Sequence, residues 1–181
     1  MILLCEGLDN VGKDTQIKNI QPLLTDLPLH VLHYSNYKGF NSVEESKNYS
    51  KMVYNNMFNI LKNESPFNHF ILNRSHIGEF VYSNMYRNYC GDYIFEFEEY
   101  WKSRFENWND IYLITFIDEV ENLIKRDDGE SHSIDPIKKQ VEIDKFIEAT
   151  NRSIISNKII ININNKNSLQ VFDEIKLFLR K

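Results

Sequence analysis

Gly7-Leu8-Asp9-Asn10-Val11-Gly12-Lys13-Asp14-Thr15 is the stretch that decides how this chain is read. It follows a short apolar run, Met1 to Cys5, suited to a buried parallel strand. A glycine, four intervening residues, then Gly-Lys is the pattern of a phosphate-binding loop. Its glycines allow backbone angles that let successive N–H groups turn inward and cradle phosphate oxygens. Beyond Lys13, the positions of Thr15, Ile17, Ile20, Leu23 and Leu24 predict a helix, whose N-terminus adds partial positive charge at the phosphates. Lys13 can reach the outer phosphates as a compact point charge. The candidate donor-phosphate residues are therefore Asn10, Val11, Gly12, Lys13, Asp14 and Thr15. One letter departs from the pattern, which ends in Ser or Thr: here Asp14 follows the lysine, and a threonine comes only at Thr15. Mg²⁺ favours oxygen ligands and keeps several waters, so a carboxylate can hold it directly or through water. The expectation is that Asp14 faces the ion, or that Thr15 supplies its hydroxyl from a shifted loop.

A chain of 181 residues is expected to form one domain with a sizeable core. Its net charge of −5 argues against a general nucleic-acid binder. Two cysteines, Cys5 and Cys90, suggest no disulfide framework, and Cys5 reads as a small buried residue of the first strand. No apolar run approaches the roughly 20 residues of a membrane span. The core strand begins almost at Met1, which leaves no room for a signal peptide, so the expected setting is reducing and cytoplasmic.

Strands and helices alternate along the chain. His30–Tyr34, Phe67–Leu72, Ile111–Ile117 and Lys158–Ile163 read as further strands. Val43–Lys62, Glu79–Tyr89, Glu96–Asn107, Glu119–Lys125, Pro136 to about Ser153, and Leu169–Leu179 read as helices, with Pro136 near a helix start. Alternation of this kind implies an α/β fold, a parallel sheet with helices on both faces, and ligands bound beyond the carboxyl ends of the strands. The loop at 7–15, the turn after Tyr34 and the segment Asn73-Arg74-Ser75 all fall at such ends. Arg74 there can grip a phosphate with its planar fork of donors. Asp118 ends the apolar strand Ile111–Ile117 and serves either a metal or a helix cap. Glu79 reads as part of a solvated helix face and His132 as an exposed loop residue. The aromatic cluster Phe95–Trp101 reads as packing or dimer surface.

Glu6-Gly7-Leu8-Asp9-Asn10-Val11-Gly12-Lys13, then Asn73-Arg74 after the third strand, resembles the thymidylate kinases. The strand ending in Asp118, the helix after it and Lys125-Arg126-Asp127-Asp128-Gly129 are similar to that family's fourth strand and lid. The related deoxynucleoside kinases share the layout and have Arg-Ser, as in Arg74-Ser75. The resemblance implies a three-layer P-loop kinase fold: a central five-stranded parallel sheet, helices on both faces and a lid at about 126–136. It implies ATP as donor, Mg²⁺, a small-molecule nucleotide acceptor and a homodimer. Asp9 matches the residue that meets the acceptor sugar, Arg74 the one near the acceptor phosphate, Tyr82 an aromatic by the acceptor base or sugar, and Arg126 a lid arginine. Asn73 stands where the family has aspartate. Tyr34-Ser35-Asn36-Tyr37-Lys38 stands where it has Phe-Pro and an arginine, which makes Tyr34 and Lys38 acceptor-side candidates.

The expected reaction is ATP- and Mg²⁺-dependent phosphoryl transfer from ATP to dTMP, giving dTDP, with Lys13, Arg74 and Arg126 as the catalytic cations. A monophosphate is already an anionic nucleophile. A nucleoside hydroxyl usually needs a carboxylate base at the end of the second strand, and His33-Tyr34-Ser35-Asn36 offers none. A deoxynucleoside kinase and a nucleotide-binding module without turnover remain the alternatives.

Overall fold

In the computed structural model, which describes residues 1–34, 39–129 and 131–180, the opening apolar run becomes β1 (Ile2–Gly7), buried along its whole length. It lies at the centre of a five-stranded, all-parallel sheet of order β2-β3-β1-β4-β5. The other strands are β2 (Leu29–His33), β3 (His69–Asn73), β4 (Ile111–Ile117) and β5 (Asn157–Asn162). β3 is buried throughout, whereas β2 and β5 at the edges are largely half-exposed. That gradient is what a parallel sheet covered on both faces requires of its inner strands. Leu3, Ile71, Leu72, Leu113, Ile114 and Phe116 are fully buried and form its centre.

Among the described residues six helices fill the connections and a seventh follows the last strand: α1 (Lys13–Ile20), α2 (Val43–Glu64), α3 (Ile77–Tyr86), α4 (Tyr93–Lys102), α5 (Val120–Lys125), α6 (Pro136–Arg152) and α7 (Ser168–Leu179). α1 packs on α7, and α3 packs on α4 and α6. Caps set several boundaries. Ser42 accepts from the Glu45 N–H at the start of α2, Asp135 from Ile137 and Lys138 at the start of α6, and Asn167 with Gln170 forms a capping box on α7. No helix of the described residues is long and apolar enough to cross a membrane.

Element order follows the sequence reading, while several ends move. β3 begins at His69 rather than Phe67, because Phe67 lies in the turn after α2 and is exposed. α3 begins at Ile77 and stops at Tyr86; Asn88 with φ 58° then turns the chain. α4 covers Tyr93–Lys102 rather than Glu96–Asn107. Glu79 is not on a solvated face. It is fully buried and accepts from Arg87, from the Tyr89 hydroxyl at 2.6 Å and from the Tyr93 hydroxyl at 2.9 Å. The corner between α3 and α4 folds all three donors over one carboxylate, which is the condition for burying a charge. Cys5 is buried as expected, and burial pushes its thiol up to about 12. In the aromatic cluster, Trp101 packs on Phe58, with ring centroids 6.1 Å apart.

Candidate active site at the strand ends

The carboxyl ends of β1 and β3 are adjacent, since Cys5 pairs with Asn73. The chain leaves β1 to reach β2 on one side and returns past it to β4 on the other, so the crevice above β1 lies where the strand order switches. Gly7, with φ 128°, closes the strand. A Cβ there would stand 2.2 Å from the Phe116 carbonyl oxygen of β4, so no side chain fits. Asn10 (φ 65°) and Gly12 (φ 77°) both take left-handed backbone, and the space where Gly12 would carry a Cβ is open. The loop thus bends over the N-terminus of α1, which begins at Lys13. Val11 turns its side chain into the core and can offer a ligand only its backbone.

An open cleft of about 380 Å³ is lined by Asp9, Asn10, Gly12, Lys13, Asp14, Thr15, His33, Asn73, Arg74, Arg126 and Asp128. The folding brings together most of the candidates read from the sequence. Lys13 is buried, and its ammonium donates to the Gly7 and Leu8 carbonyls at 2.9 and 2.5 Å. Burial, and next the Arg74 guanidinium, lower its pKa from 10.5 to about 8. Arg74 ion-pairs with Asp9. It is a non-glycine residue at φ 71°, and its backbone N–H bonds the Cys5 carbonyl at 3.0 Å. A residue held in such a conformation stores strain that its surroundings must hold. Arg126, at the end of α5, ion-pairs with Asp118 and keeps two-fifths of its side chain exposed.

Asp118 is neither a free metal ligand nor only a cap. One carboxylate oxygen accepts the Glu119 N–H at 2.8 Å and the Asn122 amide at 3.1 Å, and the other holds Arg126. Asp14 and Thr15 are both exposed at the cleft. Asp14 accepts a hydrogen bond from the Asn73 amide at 2.6 Å. An oxygen set of one carboxylate and one hydroxyl suits a hard cation that keeps its waters and phosphate ligands. No group of three or more His, Cys, Asp or Glu side chains with metal-holding geometry occurs among the described residues.

A narrower recess shares Arg74 with the cleft and is lined by Glu6, Gly7, Tyr34, Tyr54, Ser75, Gly78, Tyr82 and Arg87. Tyr34 and Tyr82 therefore lie on the Arg74 side, in the recess rather than the wider cleft. Lys38 falls outside the described residues. Glu6 is buried, and one of its oxygens takes the Ser75 N–H and hydroxyl, both at 2.6 Å, and the Gly78 N–H at 3.4 Å. Burial raises its pKa against the pull of the Ser75 bonds. These contacts fix the start of α3 to the end of β1 and so set the direction of Arg74. Sequence reasoning used Glu6 only as a motif letter and did not find its role. Its signal was a lone carboxylate at the end of an otherwise apolar strand.

The segment between α5 and α6 reaches both sides. The Asn10 amide lies 3.5 Å from Asp128, and the His132 ring stacks on Tyr86 with centroids 4.8 Å apart and planes 16° from parallel. His132 is exposed, as read, but it is not idle. Tyr86 in turn donates to Glu142 at 2.5 Å, which joins the loop to α6.

No family model matches this sequence, and no curated protein matches it. Solved structures do. The YorR protein of Bacillus subtilis, solved in complex with phosphorylated GDP, is 13% identical, with TM-score 0.70, over 99% of this chain and 96% of that one. Thymidylate kinase from Candida albicans is 14% identical, with TM-score 0.63, over 99% and 90%. Thymidylate kinase from Ehrlichia chaffeensis is 16% identical, with TM-score 0.61, over 100% and 98%. At these identities the likeness speaks for architecture alone, and with the sheet order and surrounding helices it shows that the chain has the three-layer α/β fold of these structures, opened by a phosphate-binding loop.

Proposed function

We propose that this protein transfers the terminal phosphoryl group of ATP to a deoxynucleoside monophosphate, with dTMP the preferred acceptor and dTDP the product. The observation that carries the reading is the convergence of Lys13, Arg74 and Arg126 on one cleft beneath a loop with left-handed Asn10 and Gly12. Phosphoryl transfer asks little covalent chemistry of a protein; it needs reactants in line and charge neutralised.

The residues divide that work. The backbone N–H groups of Asn10 to Thr15 hold the donor phosphates. Lys13 exchanges the Gly7 and Leu8 carbonyls for phosphate oxygens, and a group already buried loses little further hydration in doing so. Arg74, aimed by its strand-end geometry, clamps the acceptor phosphate, and Asp9 and Tyr82 face the acceptor sugar and base. Arg126 leaves Asp118 to meet the transferring group when the segment 126–136 closes as a lid. Asp14 and Thr15 would hold Mg²⁺, which would supply neutralisation of the donor phosphates. No base is required, because the acceptor phosphate is the nucleophile. This suits the lack of a carboxylate in His33-Tyr34-Ser35-Asn36.

The test is a coupled assay of ADP release with ATP and Mg²⁺ over the four deoxynucleoside monophosphates, dUMP and the deoxynucleosides. Turnover of dTMP is expected. Turnover of thymidine without dTMP overturns the choice of acceptor, and ATP binding without transfer to any acceptor overturns the enzymatic reading.

A further inference from the structure

The odd letter of the phosphate loop has a partner, and the partner explains how it is tolerated. Asp14 sits in the first turn of α1, exposed to the cleft, at the position where the motif has a hydroxyl. A carboxylate there adds negative charge where phosphates are to bind. The Asn73 amide nitrogen donates to Asp14 Oδ1 at 2.6 Å, although 59 residues separate the two in sequence. Asn73 is the last residue of β3, buried, with register partners on both sides in Cys5 and His33. Its backbone carbonyl accepts from the Tyr34 N–H at 3.3 Å, which fixes the backbone from which the amide projects. The Asn73 Oδ1 is buried without a hydrogen-bond partner. Turning the amide over would place that oxygen against the carboxylate, oxygen to oxygen, so Asp14 alone fixes which way the amide faces.

We infer that Asn73 is a positioning residue for Asp14. Its amide occupies one carboxylate oxygen and leaves the other directed to the cleft, where it takes over from the missing hydroxyl as an oxygen ligand or water acceptor for a divalent cation. An aspartate at 73 would set a second carboxylate against the first, so position 73 must be a neutral donor while position 14 is acidic. The two positions form one unit carrying a single negative charge. This rests on the proposed ATP and Mg²⁺ site, but it is tested by binding and does not require turnover.

The experiment compares the intact protein with Asp14→Asn, Asn73→Asp, Asn73→Leu and the exchanged pair Asp14→Asn/Asn73→Asp. Calorimetry measures ATP affinity with and without Mg²⁺, and thermal melting confirms that each variant is folded. Asp14→Asn is expected to cut the gain in ATP affinity from Mg²⁺ by about tenfold or more, while ATP without the ion binds as well or better. Asn73→Leu is expected to reduce that gain by about tenfold with a smaller effect on ATP alone. Asn73→Asp is expected to weaken ATP binding in the absence of the ion. The exchanged pair is expected to return the Mg²⁺ gain to within about threefold of the original, a non-additive result for two residues in contact. An unchanged Mg²⁺ gain in both Asp14→Asn and Asn73→Leu overturns the inference, and so does strict additivity in the exchanged pair. If ATP binds with this Mg²⁺ pattern but no acceptor is turned over, the pair stands and the proposed activity falls.

Discussion

Arg74 and Arg126 face the same cleft and are each paired with an aspartate, yet they are held in opposite ways. Arg74 follows a central strand, has a left-handed backbone, and is tied to β1 through its own N–H. Arg126 ends a six-residue helix and opens into the loop that leads to Asp135. Its partner Asp118 is almost wholly buried, whereas Asp9, the partner of Arg74, is 17% exposed in its side chain. Arg74 therefore belongs to the fixed half of the cleft, where geometry is set before any ligand arrives. Arg126 belongs to the more exposed half, at the end of a short helix rather than on the sheet. A buried anion beneath a more exposed cation gives Arg126 a defined contact without ligand, which the proposed lid closure would exchange for a phosphate.

The largest effect expected is common to both halves. Lys13→Ala should lower kcat on the order of a thousandfold with the melting temperature nearly unchanged, as for loss of a preorganised donor to a transition state. Steady-state kinetics beside a melting curve checks this.

Arg74→Gly sharpens the comparison next. It removes the proposed acceptor clamp and should lower kcat/KM for the acceptor by about a hundredfold or more. The same change relieves left-handed strain of about 1 kcal/mol, so the melting temperature should hold or rise by about 2–4 °C. A loss of stability would show that the Asp9 pair, not the backbone, fixes this corner.

Arg126→Ala should lower kcat about a hundredfold with acceptor KM and melting temperature unchanged, since the residue is half-exposed and is proposed to meet substrate only on closure. If KM rose instead and kcat held, Arg126 would be a static binding residue and the contrast with Arg74 would fail.

The smallest effect is in pH. Lys13 titrates near 8 in the folded protein, so kcat/KM for ATP should be level below that pH and fall about tenfold per unit above it. Bound phosphates favour the ammonium, so the corresponding limb in kcat should lie higher. Stability moves the other way. Between about 8 and 10.5 the unfolded chain holds more protons on Lys13 than the folded one, so this residue alone makes the nucleotide-free protein more stable as pH rises through that window. Melting curves across that range, compared with Lys13→Met, isolate the contribution.

Much of this was legible in advance because the signals are local. Met1–Cys5, the loop and the next helix are contiguous, and one spacing rule reads all three. Ile111–Ile117 matches its strand to the residue, because a continuous apolar run bounded by Asp110 and Asp118 leaves little choice. The end of α3 was misplaced by three residues. Nothing local forbids helix through Tyr89, whereas Tyr89 and Tyr93 are needed over Glu79. Glu79 looked solvated for the same reason: its three donors come from the far side of a corner.

The sequence by itself determined that a phosphate loop stands between a buried strand and a helix, that the sheet is parallel, and that one arginine follows a strand end and another a helix end. These follow from residue type and short-range period, which act over a few residues. Tertiary structure decided the pairings: Asp9 with Arg74, Asp118 with Arg126, and Asp14 with Asn73. Each depends on which strand ends become neighbours or on where a helix stops, and a carboxylate takes whichever donor the fold brings within hydrogen-bond reach. The Asp14 that looked like a flaw in the loop is, in the folded molecule, half of a pair whose other half is at the end of β3.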